Sequence, residues 1–173
     1  MSRITVENVA AAIRKVRSMS LAQREALADE IHRHQPHLLA SCLVQPRLGA
    51  KMTDVEFLLN ILLVCYQSMK ESGLQWPLIT EEEQERQMQR WVGAVDFSEH
   101  ALSGGASDSA RQQYADQHPE QPLLAFVLNE TNQWLREISQ RHAEAESDKF
   151  VMMASMNLVN CIAGAPVVSA THG

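Results

Sequence analysis

The densest run of side chains able to bind a metal or move a proton is Asp29-Glu30-Ile31-His32-Arg33-His34-Gln35-Pro36-His37. On a helix Asp29 and His32 lie three apart, and Glu30 and His34 four apart, so each pair shares a face. Imidazole with carboxylate is a usable ligand set for zinc, iron or manganese. Asp29, Glu30, His32, His34 and His37 are therefore the candidate ligands of a small metal-dependent enzyme. Against that reading, the spacing is not HExxH, and Arg33 puts a cation inside the run. A carboxylate-bridged di-metal bundle would also need two Glu-x-x-His repeats on different helices, and the sequence has none. The plainer reading is solvated residues near a helix end, where histidine suits the negative pole of the helix dipole. Metal-dependent chemistry stays an alternative, and no motif demands a cofactor.

Other chemistry is thinner. The acids Glu81, Glu82, Glu83 and Glu85 follow Thr80, which forms a capping box with Glu83. Their spacing reads as compensation of the helix dipole, with Glu82 one turn before Arg86. Ser107 sits in GASDS, which lacks the second glycine of a nucleophile elbow and has no strand before it. Gly104-Gly105 alone is not a phosphate loop. Cys42, Cys65 and Cys161 are odd in number, widely spaced and embedded in apolar runs, as expected of buried free thiols. The balance leans away from an enzyme.

Charge is unevenly spread. Residues 1–51 carry eight Lys or Arg against four acids, a balance of +4 in a chain of net charge −6, which leaves −10 for the remainder. One consequence is a second alternative: a nucleic-acid-associated protein, its two opening helices placing Arg14, Lys15, Arg17, Arg24 and Arg33 on phosphates. The chain's pI near 5.6 and its 5% aromatic content argue against it. The basic N-terminal part could equally dock on the acidic remainder, within one chain or between copies.

These residues must be positioned by helices. The 173-residue chain is of single-domain size, with 45% hydrophobic residues, eight Met and no convincing period-two alternation. The expected fold is all-α, an irregular bundle of five to seven helices around a central apolar helix at about 54–72. Its middle, Phe57 to Tyr66, is interrupted only by Asn60, and a helix apolar around most of its circumference needs neighbours on several sides. Asn60 is expected to mark a seam facing solvent or a partner. Thr5 and Ser20 read as N-caps of two opening helices, and Pro36 as a break or restart. Residues 103–121, rich in Gly, Ser and Pro, are expected to be a flexible insertion in which Asp108 to Gln117 can form one weak helix, and 165–173 a short tail.

The last helix, about 149–163, is also apolar nearly all round, and one small domain is expected to have difficulty surrounding two such helices. Met152, Met153, Met156 and Val159, with Trp76 in the Trp76-Pro77 connector, are therefore the candidate interface residues. Phe150 to Val168 is too broken by Ser155, Asn157, Asn160, Gly164 and Pro166 to span a membrane. The N-terminus lacks a signal-peptide pattern, so a cytoplasmic location is expected. The favoured function is a non-catalytic interaction module (an adaptor, a regulator or a small subunit), with a protein partner or a second copy as its target.

Overall fold

In the computed structural model, residues 1–101, 106–139 and 146–167 are described, with side-chain surroundings for 1–94, 112–138 and 147–167. The helices are α1 (Val6–Ser18), α2 (Leu21–His34), α3 (Pro36–Leu43), a 3-10 turn η1 (Gln45–Leu48), α4 (Met52–Glu71), α5 (Glu81–Ala101), α6 (Ala106–Gln117), α7 (Gln121–Ser139) and α8 (Glu146–Gly164). The fold is all-α. Among the described residues there are eight α-helices, more than the five to seven expected. Pro36 starts a separate helix, and most of 103–121 is helical as α6. Residues 102–105 and 168–173 lie outside the described residues, and with them part of the expected insertion and tail.

Local chemistry sets the boundaries. Thr5 Oγ1 accepts the Asn8 N–H while Asn8 Oδ1 accepts the Thr5 N–H at 2.9 Å, and Ser20 with Gln23 repeats the exchange at the start of α2. The Glu83 N–H donates to Thr80 Oγ1 at 3.2 Å and opens α5. At α4 the start, Met52, lies two residues before the expected 54. Asp54 is the third helical residue and reaches back to accept the Lys51 N–H at 2.9 Å. Gly73 follows the end of α4 at φ 67°, a conformation that costs glycine nothing and a residue with a Cβ much more.

Helix α4 lies against α1, α2, α3, η1, α7 and α8, and α8 in turn against α3, η1, α4, α5 and α7. The two long apolar helices thus cover each other, and α1, α2, α3, η1, α5 and α7 close around them. Leu58, Ile61, Leu62 and Cys65 on α4 and Val159, Cys161 and Ile162 on α8 have no exposed surface. Phe57 stacks on Trp134 of α7, centroids 5.0 Å apart. Gln35, buried at the α2–α3 junction, donates to the Pro77 carbonyl at 2.8 Å and accepts the Ile79 N–H at 2.9 Å, which fixes the link between α4 and α5.

Asn60 is half-buried and accepts from Arg24 at 3.4 Å, so it lies on the seam between α4 and α2. All three cysteines are buried and free. Burial pushes the Cys42 and Cys161 thiols up to about 12, which keeps them protonated and unreactive. No helix among the described residues is long and apolar enough to cross a membrane.

Candidate functional site

The candidate metal ligands do not converge. Asp29, His32 and His34 are exposed, and His37 is half-buried beyond the Pro36 break. Glu30 is engaged elsewhere, accepting from Lys70 Nζ at 2.8 Å and from the Tyr66 hydroxyl at 3.3 Å. Despite the cost of burial, these donors hold its carboxyl below the usual range. Among the described residues no three His, Cys, Asp or Glu side chains are grouped as a metal site would need.

The basic set is likewise dispersed. Lys15 pairs with Glu71 at 2.5 Å, and Arg24 is held by Asn60 and by the Val16 carbonyl. Arg14, Arg17 and Arg33 stay exposed, Arg33 bonding to the Asp29 carbonyl of its own helix. The basic N-terminal part therefore docks partly on acids of its own chain, as Arg3–Glu120 and Lys15–Glu71 show.

The proposed interface residues need correcting. Met156 and Val159 are 5% and 0% exposed and belong to the core, because α4, α5 and α7 enclose the side of α8 that was expected to be free. Met152 and Met153 are only half-buried. Trp76 is also half-buried: its Nε1 donates to the Met69 carbonyl and Ser72 Oγ, both at 3.1 Å, and the Arg3 guanidinium lies 4.9 Å above its ring.

Exposed apolar surface lies instead where α3 turns through η1 into α4. Leu43, Val44, Leu48 and Met52 are 53%, 38%, 45% and 68% exposed, four large apolar side chains within ten residues. Phe150, on the part of α8 that meets this turn, is exposed as well, and a Cβ on Gly49 would lie 3.7 Å from Ser147 Cβ. The cations at this corner, Arg47, Lys51 and Lys149, are exposed. From the sequence, Pro36 to Val44 reads as a short, mostly buried segment and Gln45 to Gly49 as a loop, so neither is expected to present apolar surface; the exposure of Leu43 and Val44 corrects the first expectation. The available signal was that a loop so rich in Leu, Val and Met has no amphipathic stripe through which to bury them.

A second feature is polar and interior, and it gathers residues far apart in the chain. Glu120, fully buried, accepts from Arg3 Nε at 2.6 Å and from the Ile4 N–H at 3.0 Å. The remaining Arg3 donors reach the carbonyls of Ala165, Ile162 and Ala163 at 2.6, 2.9 and 2.8 Å, closing the end of α8. Next to this, His118 Nδ1 accepts the Glu120 N–H at 3.1 Å, so the ring proton sits on Nε2 and is donated to Asn160 Oδ1 at 3.2 Å. Tyr114 donates its hydroxyl proton to the same oxygen at 2.5 Å. A cavity of about 280 Å³ opens beside them, with Gln87, Arg90 and Trp91 of α5 on its far wall.

Burial holds the His118 pKa below its ordinary 6.5, against the opposing pull of Asn160 and Glu120. The folded chain therefore refuses a proton that the unfolded chain accepts once the pH falls below 6.5. The stability that neutral His118 contributes is complete above that value and is lost as pH falls toward the lowered folded pKa. Thermal unfolding followed from about pH 7 to about pH 5 should show a fall in Tm that His118→Gln reduces. Equal slopes for the two proteins would show that His118 is not held neutral.

No family model, curated protein or solved structure matches this chain.

Proposed function

We propose that this chain is a non-catalytic interaction module that assembles with further copies of itself head to tail, the apolar corner of one copy seated on the start of α5 of the next. The concentration of Leu43, Val44, Leu48 and Met52 in one exposed corner carries the reading. Scattered exposed apolar side chains are ordinary, whereas a gathered set is what a docking surface offers.

Charge selects the occupant. Arg47, Lys51 and Lys149 flank the corner, so two corners facing each other would oppose like charges. The same chain carries the complement: Leu78 is 52% exposed beside the exposed acids Glu81, Glu82 and Glu85. Apolar contact would supply most of the binding, and the rim charges mainly orientation and encounter rate. A head-to-tail contact between unlike surfaces gives rings or open filaments rather than a closed pair.

Sedimentation velocity tests this. The wild-type protein should form species above 19.4 kDa as its concentration rises. A corner variant (Leu48→Asp with Met52→Asp) and an α5 variant (Glu81→Lys with Glu82→Lys) should each be monomeric alone. Mixed, they should form a one-to-one heterodimer, because each retains the surface the other lacks. A wild-type monomer at every concentration, or a mixture that stays monomeric, would overturn the proposal.

A further inference from the structure

The cavity beside Tyr114, His118 and Asn160 carries a separate inference that does not depend on self-assembly. Asn160 lies in the last two turns of α8 and is 7% exposed. Its carboxamide orientation is fixed by the chain. The Glu120 N–H occupies His118 Nδ1, so His118 Nε2 must donate, and the atom of Asn160 that faces it must be the oxygen. That oxygen also receives the Tyr114 proton, and its acceptor capacity is then used.

What remains of Asn160 is an NH2 group with two donors, and no described residue accepts from it. The sealed polar side-chain atoms without a partner lie elsewhere among the described residues, at Gln45, Gln84 and Asn157, so the Asn160 NH2 group is one that solvent or a ligand can reach. Asn160 lines the cavity, so open space adjoins that group.

The rest of the lining selects the partner. Among the described residues it holds one cation, Arg90, and no Asp or Glu, while Trp91, Tyr114 and Pro119 supply flat apolar wall. Glu83, whose carboxylate lies beside Gly164, is engaged by Gln87 at 2.7 Å and by Arg86 at 2.9 Å. At about 280 Å³ the cavity falls just below the ~300–1,000 Å³ of drug-sized sites, so it suits a small molecule.

We propose that this cavity binds a small planar carboxylate. Its carboxylate oxygen accepts from Asn160 Nδ2, Arg90 supplies the counter-charge, and its ring lies along Trp91. With His118 neutral, Arg90 is the only full charge among the described lining residues, so anions are preferred over cations of the same shape.

Benzoate is the probe, followed by amide chemical-shift titration with benzylammonium as the control. Benzoate should saturate in the millimolar range or tighter and perturb Asn160, His118 and Trp91, while benzylammonium should not saturate. Asn160→Asp keeps an acceptor for Tyr114 and His118 but replaces the NH2 group by a second oxygen. It should weaken benzoate at least about tenfold, the worth of one hydrogen bond to a charged group. Arg90→Gln, at the exposed rim where folding is not at stake, should weaken benzoate as well. Failure of benzoate to saturate, equal binding of benzylammonium, or full affinity in Arg90→Gln would overturn the assignment. Loss of self-assembly with benzoate binding intact would leave it standing.

Discussion

Truncating Arg3 to alanine is expected to destabilise the protein by about 3 kcal/mol, the lower end of the range for breaking a buried ion pair from one side. Glu120 has no exposed surface and would keep only the Ile4 N–H at 3.0 Å. The carbonyls of Ile162, Ala163 and Ala165 would lose their common donor at the negative end of α8. The Arg3 side chain is 28% exposed, so water can reach part of the vacated space, which is why the lower end applies.

Arg3→Lys should recover only part of the loss, because an ammonium cannot spread its donors as the guanidinium fork does. Replacing both partners, Arg3→Met with Glu120→Leu, should cost far less than Arg3→Ala, since no charge is then left buried alone. Urea unfolding of the four proteins checks this. A loss below about 1 kcal/mol in Arg3→Ala would mean that the pair behaves as a surface contact.

That network shows where a sequence stops being readable. Thr5, Ser20 and Thr80 announced their helices because a cap acts over three residues. Phe57 to Tyr66 announced a central helix because its apolar side chains leave almost no polar face. Arg3 and Glu120 are 117 residues apart, and Tyr114 and Asn160 are 46 apart, so nothing local signals either meeting. The available sign was a set of polar residues, Ser155, Asn157 and Asn160, in a helix apolar nearly all round, groups that burial would oblige to find partners.

Met156 and Val159 were legible as apolar but not as covered. Periodicity shows that a helix face must be buried, and not whether its own chain or another copy buries it. Here α4 and α8 cover each other, while Leu43, Val44, Leu48 and Met52, four exposed apolar side chains within ten residues, are left without cover from the described part of the chain.

The two proposed surfaces are separable by experiment because they lie toward opposite ends of α8. Phe150 and Asn160 are ten positions apart, roughly 15 Å along a helix. At that distance, substitutions that share no partners act nearly additively. Corner variants should therefore leave benzoate binding unchanged, and Asn160→Asp should leave the sedimentation behaviour unchanged.

The second large effect is expected at the centre of the bundle. Leu62, fully buried on α4, should cost about 2–5 kcal/mol when truncated to alanine: the transfer term of the removed atoms plus the cavity that neighbours on several sides keep from collapsing. In urea this should appear as a lower midpoint at an unchanged slope, because the surface exposed on unfolding hardly changes. Leu48→Ala removes the same atoms from a side chain that is 45% exposed, and should shift stability by no more than about 0.5 kcal/mol. The two leucines should exchange rank in sedimentation, where Leu48→Ala weakens association and Leu62→Ala, at a temperature where it stays folded, does not. If Leu62→Ala were as mild as Leu48→Ala, α4 would not be enclosed as described. If Leu48→Ala were as costly as Leu62→Ala, the corner would be core, and its apolar side chains would need no partner to explain them.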